Sequence, residues 1–209
     1  MTSTIKADLT DPDEVVSIVR ASTLEPLGTI KLSTKESSSG VAPVEILRAP
    51  GDGPPVFLVT NMFGGNVWAL AWNEGTQDFD ASMPIDFNPM KIGVPLEMYF
   101  NNSGDRMYVT TANPGHMHVF DVSGGVLDPK LLNTIATGEG AHHVAFTKDG
   151  KYAFVQNSLL NLPGMADGSI TVIDLAKGEV VASVDTLKEM GLNPNLIVLL
   201  PEWNHFGGH

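Results

Sequence analysis

A formal charge of −12, from 24 acidic against 12 basic side chains in 209 residues, opposes binding to phosphate backbones and argues against nucleic acid as a partner. The absence of cysteine removes disulfides, thiolate metal sites, thiol nucleophiles and haem attachment together. With 43% hydrophobic residues the chain can bury a substantial core, yet its longest apolar stretch, Leu196 to Leu200, is far too short to span a bilayer, so no membrane anchor is expected.

In chain order, residues 1–13 are polar and acidic and read as a flexible segment. Met1-Thr2-Ser3-Thr4 lacks the basic region and apolar core of a secretory leader. As written, the chain is expected in the cytoplasm, or in the periplasm or outside the cell if a leader lies upstream. Val15 to Val19, a turn at Ser22 to Glu25, and Leu27 to Ile30 match the last two strands of a four-stranded unit, a partial blade over residues 14–32. Ser37-Ser38-Ser39-Gly40 is a loop signal.

Three fuller copies of the unit follow. The copy over 40–92 runs through Val44 to Leu47, Val56 to Val59 and Gly65 to Trp72. The copy over 93–139 has Glu97 to Phe100, the turn Asn102-Ser103-Gly104-Asp105, Met107 to Thr110 and Gly115 to Val122. The copy over 140–186 has His143 to Phe146, the turn Lys148-Asp149-Gly150-Lys151, Tyr152 to Val155 and Gly168 to Leu175. Phe100 to Gly104 and Phe146 to Gly150 keep one spacing, and so do Gly115 to Asp121 and Gly168 to Asp174. Asn193 to Leu200 reads as a lone first strand, giving a partial blade over 187–204 and a tail over 205–209. A repeat of roughly 45 residues with several short strands is the mark of an all-β propeller built from four-stranded antiparallel blades.

About three complete blades with half-blades at both ends leave strand edges whose amides and carbonyls need partners. Three arrangements provide them. The terminal pieces can join within one molecule and close a four-bladed ring; two chains can exchange them in a two-fold dimer; or the chain is one piece of a longer propeller.

The run Gly140-Ala141-His142-His143-Val144-Ala145-Phe146-Thr147-Lys148-Asp149-Gly150-Lys151-Tyr152-Ala153-Phe154-Val155, with Gly168 to Leu175 and Lys177 to Val181, resembles the YVTN-type propeller repeat of bacteria and archaea. Relatives of that repeat include lactonase-like propellers, cytochrome d1-type propellers, and the copper propellers of nitrous oxide reductase and thiocyanate dehydrogenase. The resemblance is strong over 93–186 and specific for fold, and it leaves the chemistry open.

In such a blade the first strand lines the channel. One face is then expected to carry His142 and His143, Asn113 to His116, Asn61 to Gly65, the loop Asn157 to Gly168, and Asn193 to Asn195. The counterparts of His142-His143 in neighbouring copies read as Leu96-Glu97 and Pro43-Val44. Because successive strand residues point to opposite faces, the two imidazoles are not expected to share an ion readily. His116 and His118, two apart on a third strand, share a face, and their counterparts are Ser169 with Thr171 and Asn66 with Trp68. Neutral imidazole suits copper or zinc, and six histidines without cysteine suit a histidine-only site. Resemblance to the copper propellers makes His142, His143 and His116 the candidate metal ligands; each has a structural alternative as a hydrogen-bonding strand residue. His205 and His209 read as part of the tail.

Asp121, Asp174, Asp105 and Asp149 sit beside turns and are expected to cap them. Glu97 and Glu139 are available as acid or base, but no Ser/His/Asp order, paired-carboxylate motif or phosphate loop accompanies them. The apolar loop around Leu159, Leu160, Leu162 and Met165 either folds over its own blade or forms a lid or partner contact, and Met62, Phe63, Trp68 and Trp72 either extend that surface or pack between blades. Two functional classes follow: a binding module presenting its channel face to a small molecule, metal or protein, and a copper-dependent oxidoreductase. A lactonase-like hydrolase is a further alternative.

Overall fold

A computed structural model describes residues 1–3, 15–33 and 41–199. The chain is all-β, with four antiparallel sheets whose strands run in sequence order, as propeller blades do. The first sheet holds β1 (Thr2–Ser3), β2 (Val15–Val19) and β3 (Pro26–Lys31). The second holds β4 (Pro43–Arg48), β5 (Val56–Asn61), β6 (Asn66–Asn73) and β7 (Asp78–Asp86). The third holds β8 (Gly93–Phe100), β9 (Arg106–Asn113), β10 (Gly115–Asp121) and β11 (Lys130–Ala136), and the fourth β12 (Ala141–Phe146), β13 (Tyr152–Asn157), β14 (Ile170–Asp174) and β15 (Glu179–Val184). A short helix α1 (Thr186–Glu189) follows. No described helix is long and apolar enough to cross a membrane.

Two differences from the sequence reading concern the ends. Thr2–Ser3, inside the segment read as flexible, pairs with Val16 and Ser17 of β2 and gives the two-stranded start of the chain a third strand. Residues 193–199, read as a first strand, form none. A strand needs a ladder partner. Here the segment is held by side chains instead: Gln156 Nε2 donates to the Pro194 carbonyl at 2.6 Å and Asn193 Nδ2 to Asn161 Oδ1 at 2.7 Å. His205 and His209 lie outside the described residues.

The described residues form two compact units, one running to Pro95 with Val126–Asp128 and the other comprising the rest. In the first, Val16, Leu32, Val41, Val59, Trp68 and Leu70 make the core, with Phe79 edge-on to Phe57 and Trp72. Met62 and Trp68 are buried, while Phe63 is exposed. In the second, Tyr99, Tyr108, Met117, Val144, Val155 and Ile173 form the core, with Phe146 against both tyrosine rings. Within each four-stranded sheet burial falls from the early strands to the last: β15 is exposed along its whole length.

The repeated turn has one design in two chemistries. Asn101 Oδ1 accepts the amides of Asp105 and Arg106, and Thr147 Oγ1 accepts those of Lys151 and Tyr152. Each side chain does what a backbone carbonyl would do in a tight turn. The aspartates cap as expected: Asp121 accepts the Ser123 amide, and Asp174 those of Ala176 and Lys177.

Candidate metal centre

β8 supplies Glu97 and β12 supplies His142 and His143. Regular alternation would send the two imidazoles to opposite sides, but β12 is not regular. Ala141 pairs with Asn157 and Val144 with Val155, so three steps on β12 match two on β13. His142 and His143 together therefore face the single residue Gln156, as at a β-bulge. The bulge turns both rings to one side, where they stack with centroids 3.9 Å apart and an interplanar angle of 29°. The expectation that the pair would diverge is corrected by this irregularity.

Both rings approach the same carboxylate. Glu97 Oε1 is 3.2 Å from His142 Nε2 and 3.9 Å from His143 Nδ1. One ligand atom from each of the three residues lies within 4.8 Å of the others. A tetrahedral zinc ion with bonds of about 2.0–2.1 Å holds neighbouring donors about 3.3 Å apart, close to the 3.2 Å between Glu97 Oε1 and His142 Nε2. Glu97 is 1% exposed and both histidine side chains 12%, which keeps the donors largely out of water. Among the described residues, His142 Nδ1 has no hydrogen-bond partner.

The repeat explains why these residues meet. The amides of Glu45, Glu97 and His143 each donate to a second-strand side chain, Thr60 Oγ1 at 3.1 Å, Thr110 Oγ1 at 3.2 Å and Gln156 Oε1 at 3.2 Å. Glu97 and His143 therefore occupy one position in successive blades. The counterpart of His142-His143 in the earlier copy is Val44-Glu45, one residue along from the Pro43-Val44 read from sequence. The same bulge occurs there, between Pro43 and Ile46. Glu97 was legible as an acid or base near the channel but not as a ligand, because its link to the histidines lies in this register and not in a local motif.

His116 lies outside the group of three. It does share a face with His118, their rings 5.7 Å apart, and its Nδ1 donates to the Pro114 carbonyl at 3.0 Å. His118 is fully buried, with one ring nitrogen 3.1 Å from Thr111 Oγ1 and the other 3.1 Å from Thr134 Oγ1. Burial, with the charge of His116 a smaller influence, pushes the His118 pKa down to about 3 and keeps the ring neutral. Glu139 is exposed and accepts the Gly115 amide at 3.1 Å, holding a loop in place.

The long loop after β13 folds onto its own blade. Leu159 donates to Met165 O, Asp167 to Glu139 O and Gly168 to Asn157 O. Leu159 is buried under these contacts, and Leu160 is exposed at 63%. Gly140, which opens β12, has φ +89°, and a Cβ there would overlap the Met165 carbonyl, so glycine lets this loop lie against the start of the histidine strand.

No family model and no curated protein matches the chain. Solved structures do. The chain is similar to hydrazine synthase of Kuenenia stuttgartiensis (22% identity, TM-score 0.51, covering 75% of this chain and 39% of that one). It is also similar to the periplasmic gluconolactonase of Pseudomonas aeruginosa (17%, 0.57, 75% and 42%). A third likeness is to a dihydro-haem d1 dehydrogenase (16%, 0.56, 87% and 36%). At these identities the likeness is one of fold, in keeping with the blade-like four-stranded sheets. The chain spans about two fifths of the length of each.

Proposed function

We propose that this chain is a metal-binding β-propeller module in which Glu97, His142 and His143 hold one divalent first-row transition ion and present it to a small-molecule ligand. The observation that carries this reading is the bulge in β12, which brings two imidazoles to one buried carboxylate with the three donor atoms within 4.8 Å. Three protein donors leave a tetrahedral ion one position for water or ligand, the arrangement of open rather than closed zinc sites. When bound, such an ion supplies Lewis-acid polarisation of an oxygen ligand. The protein groups fix its position and restrict access by water.

Zinc is the favoured ion. The histidine-only set read from the sequence for copper or zinc is replaced by two imidazoles and a carboxylate, a donor set used by catalytic zinc sites with an open fourth position. The copper oxidoreductase reading uses the same two imidazoles and draws its support from the YVTN-type resemblance of residues 140–155. A lactonase-like hydrolase is supported by the fold likeness alone. A second copy of the chain is the proposed source of further blades, since two such spans amount to about four fifths of the length of one of the propellers it resembles.

Calorimetric titration with Zn²⁺ tests the site. Wild type is expected to bind one ion per chain, and Glu97→Gln, His142→Ala and His143→Ala to weaken binding by about 100-fold or more while remaining folded. His116→Ala is expected to bind as wild type. Wild-type affinity in all three site variants would remove the basis for the reading.

A further inference from the structure

We propose that Tyr99 and Gln156 are positioning residues that hold the bulge of β12 and so aim both imidazoles at Glu97. The inference rests on the metal reading above, and it concerns a feature that the ligands themselves do not explain. A bulge takes residues off the ladder and leaves backbone donors to be satisfied elsewhere. Here the amide of the bulged His143 donates to one side chain, and that of Val144, where the ladder resumes opposite Val155, donates to another. The His143 amide donates to Gln156 Oε1 at 3.2 Å, and the Val144 amide to Tyr99 Oη at 3.0 Å.

The two acceptors reach the bulge from different directions. Tyr99 lies on β8 two residues beyond Glu97, so one strand carries both the carboxylate and the hydroxyl that holds the histidine strand beside it. Its ring is 1% exposed and packs edge-on to Phe146, which fixes where the hydroxyl sits. Gln156 is wholly buried. Its carboxamide is used at both ends, Nε2 donating to the carbonyls of Ser158 at 2.5 Å and Pro194 at 2.6 Å while Oε1 accepts from His143. Two carbonyls on one side and an N–H on the other permit only one orientation of the amide. Residues 193–195 and the loop after β13 are thereby tied to the backbone of a candidate ligand.

The repeat provides a comparison inside the molecule. Thr60 and Thr110 accept the equivalent amides of Glu45 and Glu97 through a short hydroxyl, and β4 carries the same bulge with Thr60 opposite it. Threonine at position 156 is therefore expected to keep the bond to His143 while losing the ties to Ser158 and Pro194.

The test uses full-length Tyr99→Phe, Gln156→Leu and Gln156→Thr, with two readouts. Zn²⁺ titration is expected to show affinity lowered by about 10- to 100-fold in Tyr99→Phe and Gln156→Leu, and kept within about threefold of wild type in Gln156→Thr. In metal-free protein, NMR is expected to show upfield ring-current shifts of the His142 and His143 imidazole protons in wild type and Gln156→Thr, and their loss in the other two. The second readout needs no metal. Failure of wild type to bind Zn²⁺ with the shift pattern intact would sink the metal reading alone and support the positioning one. If Gln156→Leu does not fold, Tyr99→Phe and Gln156→Thr decide. Folded Tyr99→Phe with wild-type ring shifts and wild-type affinity, or Gln156→Thr as impaired as the worst variant, overturns the proposal.

Discussion

His118 shows how one residue can set the acid limit of a fold. Its ordinary pKa of 6.5 falls to about 3 in the folded chain because the ring is buried. Between those values the unfolded chain binds a proton that the folded chain refuses, so stability rises with pH and is lost as pH falls from 6.5 towards 3. One such proton is worth about 1.4 kcal/mol per pH unit. His118→Gln should therefore unfold in urea with a shallower loss of stability between pH 6 and pH 4 than wild type; parallel curves would refute the assignment. The same residue illustrates what was legible. That His116 and His118 share a face follows from strand period alone, and their stacking agrees. Which of the histidines meet a carboxylate did not follow, because alternation assumes an unbroken ladder and the ladder breaks at His142 and His143.

At the scale of elements, the bulge and the loop beside it work together. Gly140 sits at positive φ directly against the Met165 carbonyl, and any side chain there must both strain the backbone and displace the loop. Gly140→Ala is expected to cost about 3 kcal/mol or more, read from urea denaturation, and to perturb Zn²⁺ binding through the start of β12. A loss below about 1 kcal/mol would show that the loop yields easily. The strands and turns of the two best copies were readable because Asn101 and Thr147 impose the same turn at the same spacing. Two things escaped that reading. The earlier copy slipped by one residue at Val44-Glu45, where the connection from β4 to β5 is longer, and the run after Asn193 carries strand-like residues held by side-chain bonds. Leu196 and Val198 in that run are exposed, so its apolar pattern reports neither burial nor a partner strand.

For the whole molecule, 24 acidic against 12 basic side chains give a formal charge of −12, and the last strand, β15, is exposed along its whole length. Its span of about two fifths of the propellers it resembles makes assembly a question with a direct answer. If a second copy supplies further blades, the native mass is twice 22.3 kDa, and a single-chain mass at micromolar concentration counts against that arrangement. Whether Glu97, His142 and His143 form one metal site is decided by native mass spectrometry after Zn²⁺ addition and buffer exchange. One retained ion per chain is expected in wild type and in His116→Ala, and none in Glu97→Gln; a wild-type chain that retains no ion, or a Glu97→Gln chain that retains it equally well, would overturn the assignment.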